Sequence, residues 1–168
     1  MHMKMKKILL YSLIPFFLLL VSCAHTGSPQ VDLINNTFPE AQAELREVVK
    51  SIVRDSETAN VEGLHSIHLL SEKFTKFGPR RFDRQDVHST NEEEAAHFTS
   101  VDNFKADVRE LKIDVFGEVA IVTYYPHVSF VKDGNKMNGS ARQTLVFLKT
   151  KDGWKIVHEH GTIRREDD

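Results

Sequence analysis

The sequence predicts an α+β domain, with helices packed on one face of a strongly curved antiparallel sheet. Helical spacing and cap signals are confined to the stretch before Val101. From Asp107 onward β-branched and aromatic residues dominate, broken by turn signals at Phe116-Gly117, Asp133-Gly134-Asn135 and Asp152-Gly153. Helices followed by an antiparallel meander imply segregated layers.

The chain opens with Lys4, Lys6 and Lys7, an apolar run from Ile8 to Val21, then Ser22 and Cys23, the one cysteine of the chain. Leu20-Val21-Ser22-Cys23 resembles the lipobox of bacterial lipoproteins, which implies cleavage before Cys23 and acylation (palmitate-type chains) of its thiol. The apolar run carries Pro15 and is short of the roughly 20 residues of a spanning helix, so an export signal fits better than a permanent span. Each buried methylene of an acyl chain contributes about 0.8 kcal/mol, enough for two or three chains to hold a protein on a membrane. The organisation expected is a signal peptide over 1–22, an acylated cysteine and tether over 23–36, and one domain over 37–168. Ala24, rather than Asp, after the acylated cysteine favours an outer membrane in a diderm cell.

Removing the three lysines from 22 Lys and Arg leaves 19 against 24 Asp and Glu, a net charge of −5, which argues against a nucleic-acid partner. With Cys23 consumed, no thiol remains for a disulfide or a zinc–sulfur site.

Thr37-Phe38-Pro39-Glu40 has the form of a capping box, and Ala41, Leu45, Val48, Val49, Ile52 and Val53 trace one apolar face of the helix that follows. Asn60 reads as a second cap, with Leu64, Ile67 and Leu70 forming a short helix that ends before Ser71. Phe74 to Phe77 suits a short strand, Gly78-Pro79 a turn, and Arg80 to His88 a rim loop. Thr90 with Glu93 makes another box, opening a helix with Ala95, Phe98 and Val101 inward. Glu92-Glu93-Glu94 suits the positive end of that helix. Four long strands follow, over Asp107–Phe116, Glu118–Lys132, Lys136–Lys149 and Trp154–Arg164, and the last residues read as a solvated tail.

The order of elements and several strings resemble the nuclear transport factor 2-like superfamily, and within it the SnoaL-like group near the association domain of calcium/calmodulin-dependent kinase II. The strings are Phe74-Thr-Lys-Phe-Gly78, Phe116-Gly-Glu-Val-Ala120, Arg142-Gln-Thr-Leu-Val146 and Gly153-Trp-Lys-Ile-Val-His-Glu-His160. The resemblance implies a cone-shaped domain with a pocket between sheet and helices, and pairing through the outer face of the sheet. Both alternating residue sets of Glu118–Lys132 are apolar or aromatic, as a strand covered on both faces requires, and a homodimer is the simplest cover.

Period two on the last strand puts Trp154, Ile156, His158 and His160 on one face. Since Trp154 and Ile156 need burial, His158 and His160 are expected in the pocket, with Arg142 from the strand before. Tyr125 or Tyr124 joins them, and the alternation does not say which. Asp107 reads as the acidic member of an apolar face with Leu111, Ile113 and Val115.

Four roles fit this cluster. Arg142 and the histidines can be paired structurally with carboxylates and backbone, or they can bind a small ligand, an anionic one included, through the bidentate guanidinium. Proton-transfer chemistry of the SnoaL-like or ketosteroid isomerase kind would take His160, His158 or Asp107 as base and Tyr124 or Tyr125 as donor. A metal would need a third ligand beside His158 and His160, from His127, His65 or His68, which the spacing does not demand. The expectation is therefore a lipid-anchored, dimeric domain that binds a small molecule or an envelope partner, with no metal and no cofactor.

Overall fold

The structure is a computed structural model that describes residues 31–164. The expected export signal, Cys23, the first part of the expected tether and the end of the tail lie outside the described residues. Within the tether, Asp32 accepts from the backbone N–H groups of Ile34 and Asn35 at 2.9 Å, which folds Val31–Asn36 into a turn ahead of the first helix.

Helix α1 spans Pro39–Glu57 and buries Leu45 and Val49, the expected face. Its start differs from the expected box. Phe38 is the N-cap residue, in the left-handed region at φ 47°, and no side chain caps the helix. The Phe38 ring packs against the core and Asn36 takes its N–H at 2.9 Å, so burial of the ring overrides the Thr37–Glu40 box.

Helix α2 spans Val61–Ser66, and Asn60 caps it by accepting from the Gly63 N–H at 3.2 Å. It stops short of Leu70 because the chain beyond it pairs with the last strand: Leu69 N–H donates to Ile156 C=O at 2.9 Å, and Ile156 N–H to Ile67 C=O at 2.8 Å. Leu70 is left exposed. Strand β1 is Thr75–Phe77. Helix α3 spans Val87–Thr99, one turn earlier than the sequence suggested, because Asp86 and Ser89 form the capping box in place of Thr90 and Glu93. Thr90 is instead fully buried inside the first turns of the helix.

Strands β2 (Asp102–Phe116), β3 (Val119–Lys132), β4 (Asn135–Thr150) and β5 (Gly153–Arg164) run antiparallel through tight hairpins at the predicted turns. The left-handed Gly117, Gly134 and Gly153 serve those turns. The short β1 lies parallel to β5, giving the order β1-β5-β4-β3-β2. On the inner face Ile113, Val115, Ala120, Val122, Leu145, Phe147, Trp154 and Ile156 meet Leu45 and Val49 of α1 and Phe74, which together form the core.

Two β-bulges decide which side chains face that core. In β5 the partner of Val146 is His158 while that of Phe147 is Ile156, so Val157 is an extra residue. In β2 the register shifts between Arg109 and Lys112, and Glu110 takes φ 52°. A one-residue offset exchanges the two faces of a strand beyond it.

Replacing Asp86 by Ala is expected to lower stability by about 1 kcal/mol, whereas Thr37→Ala should change it by only a few tenths. Urea denaturation of the two variants checks this assignment of the caps.

Candidate functional site

The bulge at Val157 carries Glu159 inward with Trp154 and Ile156, and turns His158 and His160 to the outer face. Glu159 is 5% exposed, whereas His160 is exposed and His158 half-buried. The same rule places Arg142. Opposite residues on neighbouring strands share a face, and Leu145 and Phe147 are buried, so Gln143 points inward. Arg142 and Thr144 point outward, opposite Thr162 and His160.

Arg142, His158 and His160 thus share one face, as period two suggested, but it is the outer face rather than the cavity wall. His158 Nδ1 lies 2.7 Å from Thr75 Oγ1, and Phe77 packs edge-on against both histidine rings. Tyr125 is on the outer face with Arg142, and Tyr124 lines the cavity. The bulge at Glu110 moves Asp107 off the apolar face. Val108 packs with Leu111 against the core, while Asp107 is exposed and paired with Arg109 at 2.7 Å.

Between the inner face of the sheet and helices α1, α2 and α3 lies a cavity of about 230 Å3. Its apolar wall includes Ile52, Leu64, Ile67, Phe98, Leu145 and Ile156. Its polar wall is an ion network that the sequence reading did not foresee. Glu159 Oε1 accepts from His68 Nε2 at 2.8 Å, and its Oε2 lies 3.2 Å from the ammonium of Lys76. Lys76 also donates to Glu94 Oε1 at 2.9 Å, and His68 Nδ1 donates to Asn91 Oδ1 at 2.7 Å.

Each partner arrives from a different element. Lys76 is directly opposite Glu159 across the β1–β5 pair. His68 comes from the segment that pairs with Ile156, where it also packs on Phe74 at 5.2 Å between ring centroids. Asn91 and Glu94 are three apart on α3 and so share a face. Since the helix begins at Val87, the Glu92–Glu94 run lies mid-helix rather than at its positive end. Glu94 binds Lys76, and Glu93 accepts from Gln85 Nε2 at 2.6 Å and from Arg80 at 3.4 Å.

This arrangement fixes charge. Burial opposes ionisation of Glu159, yet Lys76 and His68 outweigh it and hold the carboxyl well below its usual range. Burial likewise opposes a charged His68, but the hydrogen bond and charge of Glu159, with Glu94 and Asn91, raise its pKa above 6.5. Lys76 is held well above the ordinary lysine value by the two carboxylates, against the cost of its burial. Tyr124 is pushed up by burial and by the charges of Glu159 and Glu94, so its phenol stays neutral. His97 is lowered by burial and by nearby Arg80 and Lys132, and its ring packs edge-on with Phe98, Phe104 and Phe130.

His68, Glu94 and Glu159 each offer one metal-type donor atom, all within 4.8 Å of one another. Lys76 already bridges the two carboxylates, so the positive charge a metal would supply there is in place. His158 and His160 cannot join His68, because the sheet lies between them.

Two signals for this site were present in the sequence. Lys76 is a lysine inside a short apolar strand, and Glu159 sits between two histidines on the last strand. Without the bulge at Val157 the pairing was not readable.

The order of elements, the five-stranded curved sheet and the cavity beneath it define a nuclear transport factor 2-like fold. Solved structures agree. A proposed dehydratase of the nuclear transport factor 2-like family from Streptomyces avermitilis aligns with a TM-score of 0.68 at 15% identity, covering 75% of this chain and 97% of its own. A superfamily protein from Salmonella enterica serovar Typhimurium gives 0.69 at 17%, covering 77% and 95%. A proposed calcium/calmodulin-dependent protein kinase II association domain from Xanthomonas campestris gives 0.63 at 14%, covering 73% and 87%. No curated protein matches the chain in sequence. The profile of the SnoaL-like domain matches residues 45–165, and the chain belongs to that family.

The network makes stability depend on pH with a definite sign. Glu159, with a lowered folded pKa, contributes fully above its unfolded value of 4.5, and that part is lost as pH falls toward the folded value. His68, with a raised folded pKa, contributes fully below 6.5, and that part is lost as pH rises through the folded value. Urea midpoints should therefore be highest between about pH 4.5 and 6.5. The decline on the alkaline side should be reduced in His68→Gln. Lys76→Met leaves His68 as the one neighbouring cation for two largely buried carboxylates and should cost about 3 kcal/mol in the same assay.

Proposed function

We propose that this protein is a membrane-tethered binding domain that takes a small molecule into the cavity between sheet and helices. The observation that carries the reading is the wall of that cavity. Its charged groups are engaged with one another, while the Tyr124 hydroxyl makes no hydrogen bond to any described residue. This hydroxyl is open to the cavity and not tied to another side chain, so it is a ready contact for a guest. A preformed cavity that sets an apolar wall beside fixed polar groups is a common form of small-molecule site.

Proton-transfer catalysis has weaker support. The Streptomyces avermitilis neighbour is described as a proposed dehydratase, which makes the idea natural for this fold. Here, however, Glu159 has both oxygens occupied and a depressed pKa, which makes it a poor base. His160 and Asp107 lie outside the cavity, so Tyr124 is the one earlier catalytic candidate inside it. Anchoring rests on the lipobox resemblance at Cys23. Pairing of two copies rests on the outer face of the sheet, where Val119, Ile121 and Tyr125 expose apolar surface.

Native mass spectrometry of the chain purified gently from the cell that makes it is expected to show a retained small molecule. Ile52→Trp, which fills the cavity from its α1 wall, should lose that mass. An empty wild-type protein would count against the reading. In light scattering the same sample is expected to be dimeric, and a Tyr125→Asp variant, which places charge on the outer face, should shift toward monomer.

A further inference from the structure

We infer that the cavity selects a neutral molecule, mostly apolar and bearing a carbonyl or hydroxyl group, and rejects anions; this rests on the reading of the cavity as a small-molecule site. The first argument is the charge of the lining. Lys76, His68 and Arg80 supply three positive groups, and Glu94, Glu159 and Glu93 supply three negative ones. Each cation is already bound to a carboxylate: Lys76 to Glu94 and Glu159, His68 to Glu159, and Arg80 to Glu93. An entering carboxylate or phosphate would have to break one of those pairs or lie unpaired among three carboxylates. Burial of an unpaired charge is strongly unfavourable.

The second argument is what the lining leaves unengaged. Tyr124 and Gln143 are directly opposite each other on β3 and β4, both face the cavity, and neither side chain makes a hydrogen bond to another described residue. A neutral phenol donates, and a primary amide both donates and accepts. Together they match a carbonyl or hydroxyl, with an adjacent N–H or O–H for the amide oxygen. Gly161 keeps this pair open: a Cβ there would come within 2.7 Å of Gln143 Oε1, so the missing side chain is what lets the amide lie in its place. The remaining wall is aliphatic with the rings of Phe98 and His97, and 230 Å3 is the space of roughly seven or eight waters, enough for one small ring.

Benzamide and benzoate test this, because they share size and shape and differ in charge. Isothermal titration calorimetry of the full chain in mild detergent, with either compound up to about 10 mM, is expected to show binding of benzamide and at least tenfold weaker binding of benzoate. Tyr124→Phe and Gln143→Ala should each weaken benzamide about tenfold, the scale of one lost hydrogen bond. Gly161→Ala should weaken it by displacing the Gln143 amide, while leaving the melting temperature near that of the wild type. Benzoate binding as tightly as benzamide would overturn the inference and leave the cavity standing as a binding site. Binding of neither compound would overturn the inference too, and the mass spectrum of the host-purified protein then tells whether the cavity reading falls with it.

Discussion

A carboxylate inside a protein needs compensating charge and hydrogen bonds, and Glu159 imposes that requirement on everything around it. Lys76 comes from the edge strand, His68 from the link after α2, and Asn91 and Glu94 from α3, so the network ties the edge of the sheet to that link and to α3. Elsewhere the same sheet is closed by ordinary apolar packing, with Leu45 and Val49 of α1 set against Phe147 and Val122. Replacing buried ion pairs by apolar residues of like volume is often neutral or stabilising. The network is therefore better understood as fixing a geometry than as adding stability. It keeps one end of the inner face polar, and a cavity persists where a purely apolar layer would collapse on itself.

Much of the fold was legible because its signals are local. Glycine turns at Gly117, Gly134 and Gly153 fixed the hairpins, and the apolar stripe through Leu45 and Val49 fixed α1. Asn60 was recognisable as a cap for the same reason. The start of α1 departs from the Thr37–Glu40 box because the Phe38 ring packs on the core with its backbone in the left-handed region, a tertiary effect invisible in the spacing. The start of α3 departs from the Thr90–Glu93 box because two capping patterns overlap, and with Thr90 buried the one at Asp86 forms.

The site was less legible, and the reason is two inserted residues. Strict alternation along β5 puts His158 and His160 beside Ile156, and strict alternation along β2 puts Asp107 beside Leu111. Val157 and Glu110 break those two phases. The grouping of Arg142 with the two histidines survives, since both strands obey the same rule beyond the bulge, but the group changes face. Chemistry-bearing residues at even spacing are thus a weak guide to orientation wherever a bulge separates them from their apolar reference.

The bulge at Val157 also explains how one strand serves two environments. Before it, Trp154 and Ile156 are buried, with the Trp154 indole N–H held by Glu44 at 2.8 Å. After it, Glu159 and Gly161 face the cavity, so the polar groups enter at one end of the sheet without interrupting the apolar core at the other. A bulge leaves one residue unpaired and sharpens the local twist. In return, Glu159 reaches Lys76 across the β1 pair while the two histidines are kept from competing for its oxygens. Had His158 and His160 turned inward, Glu159 would have faced outward with Gly161, and the carboxylate that holds Lys76 and His68 at the cavity wall would have been lost from it.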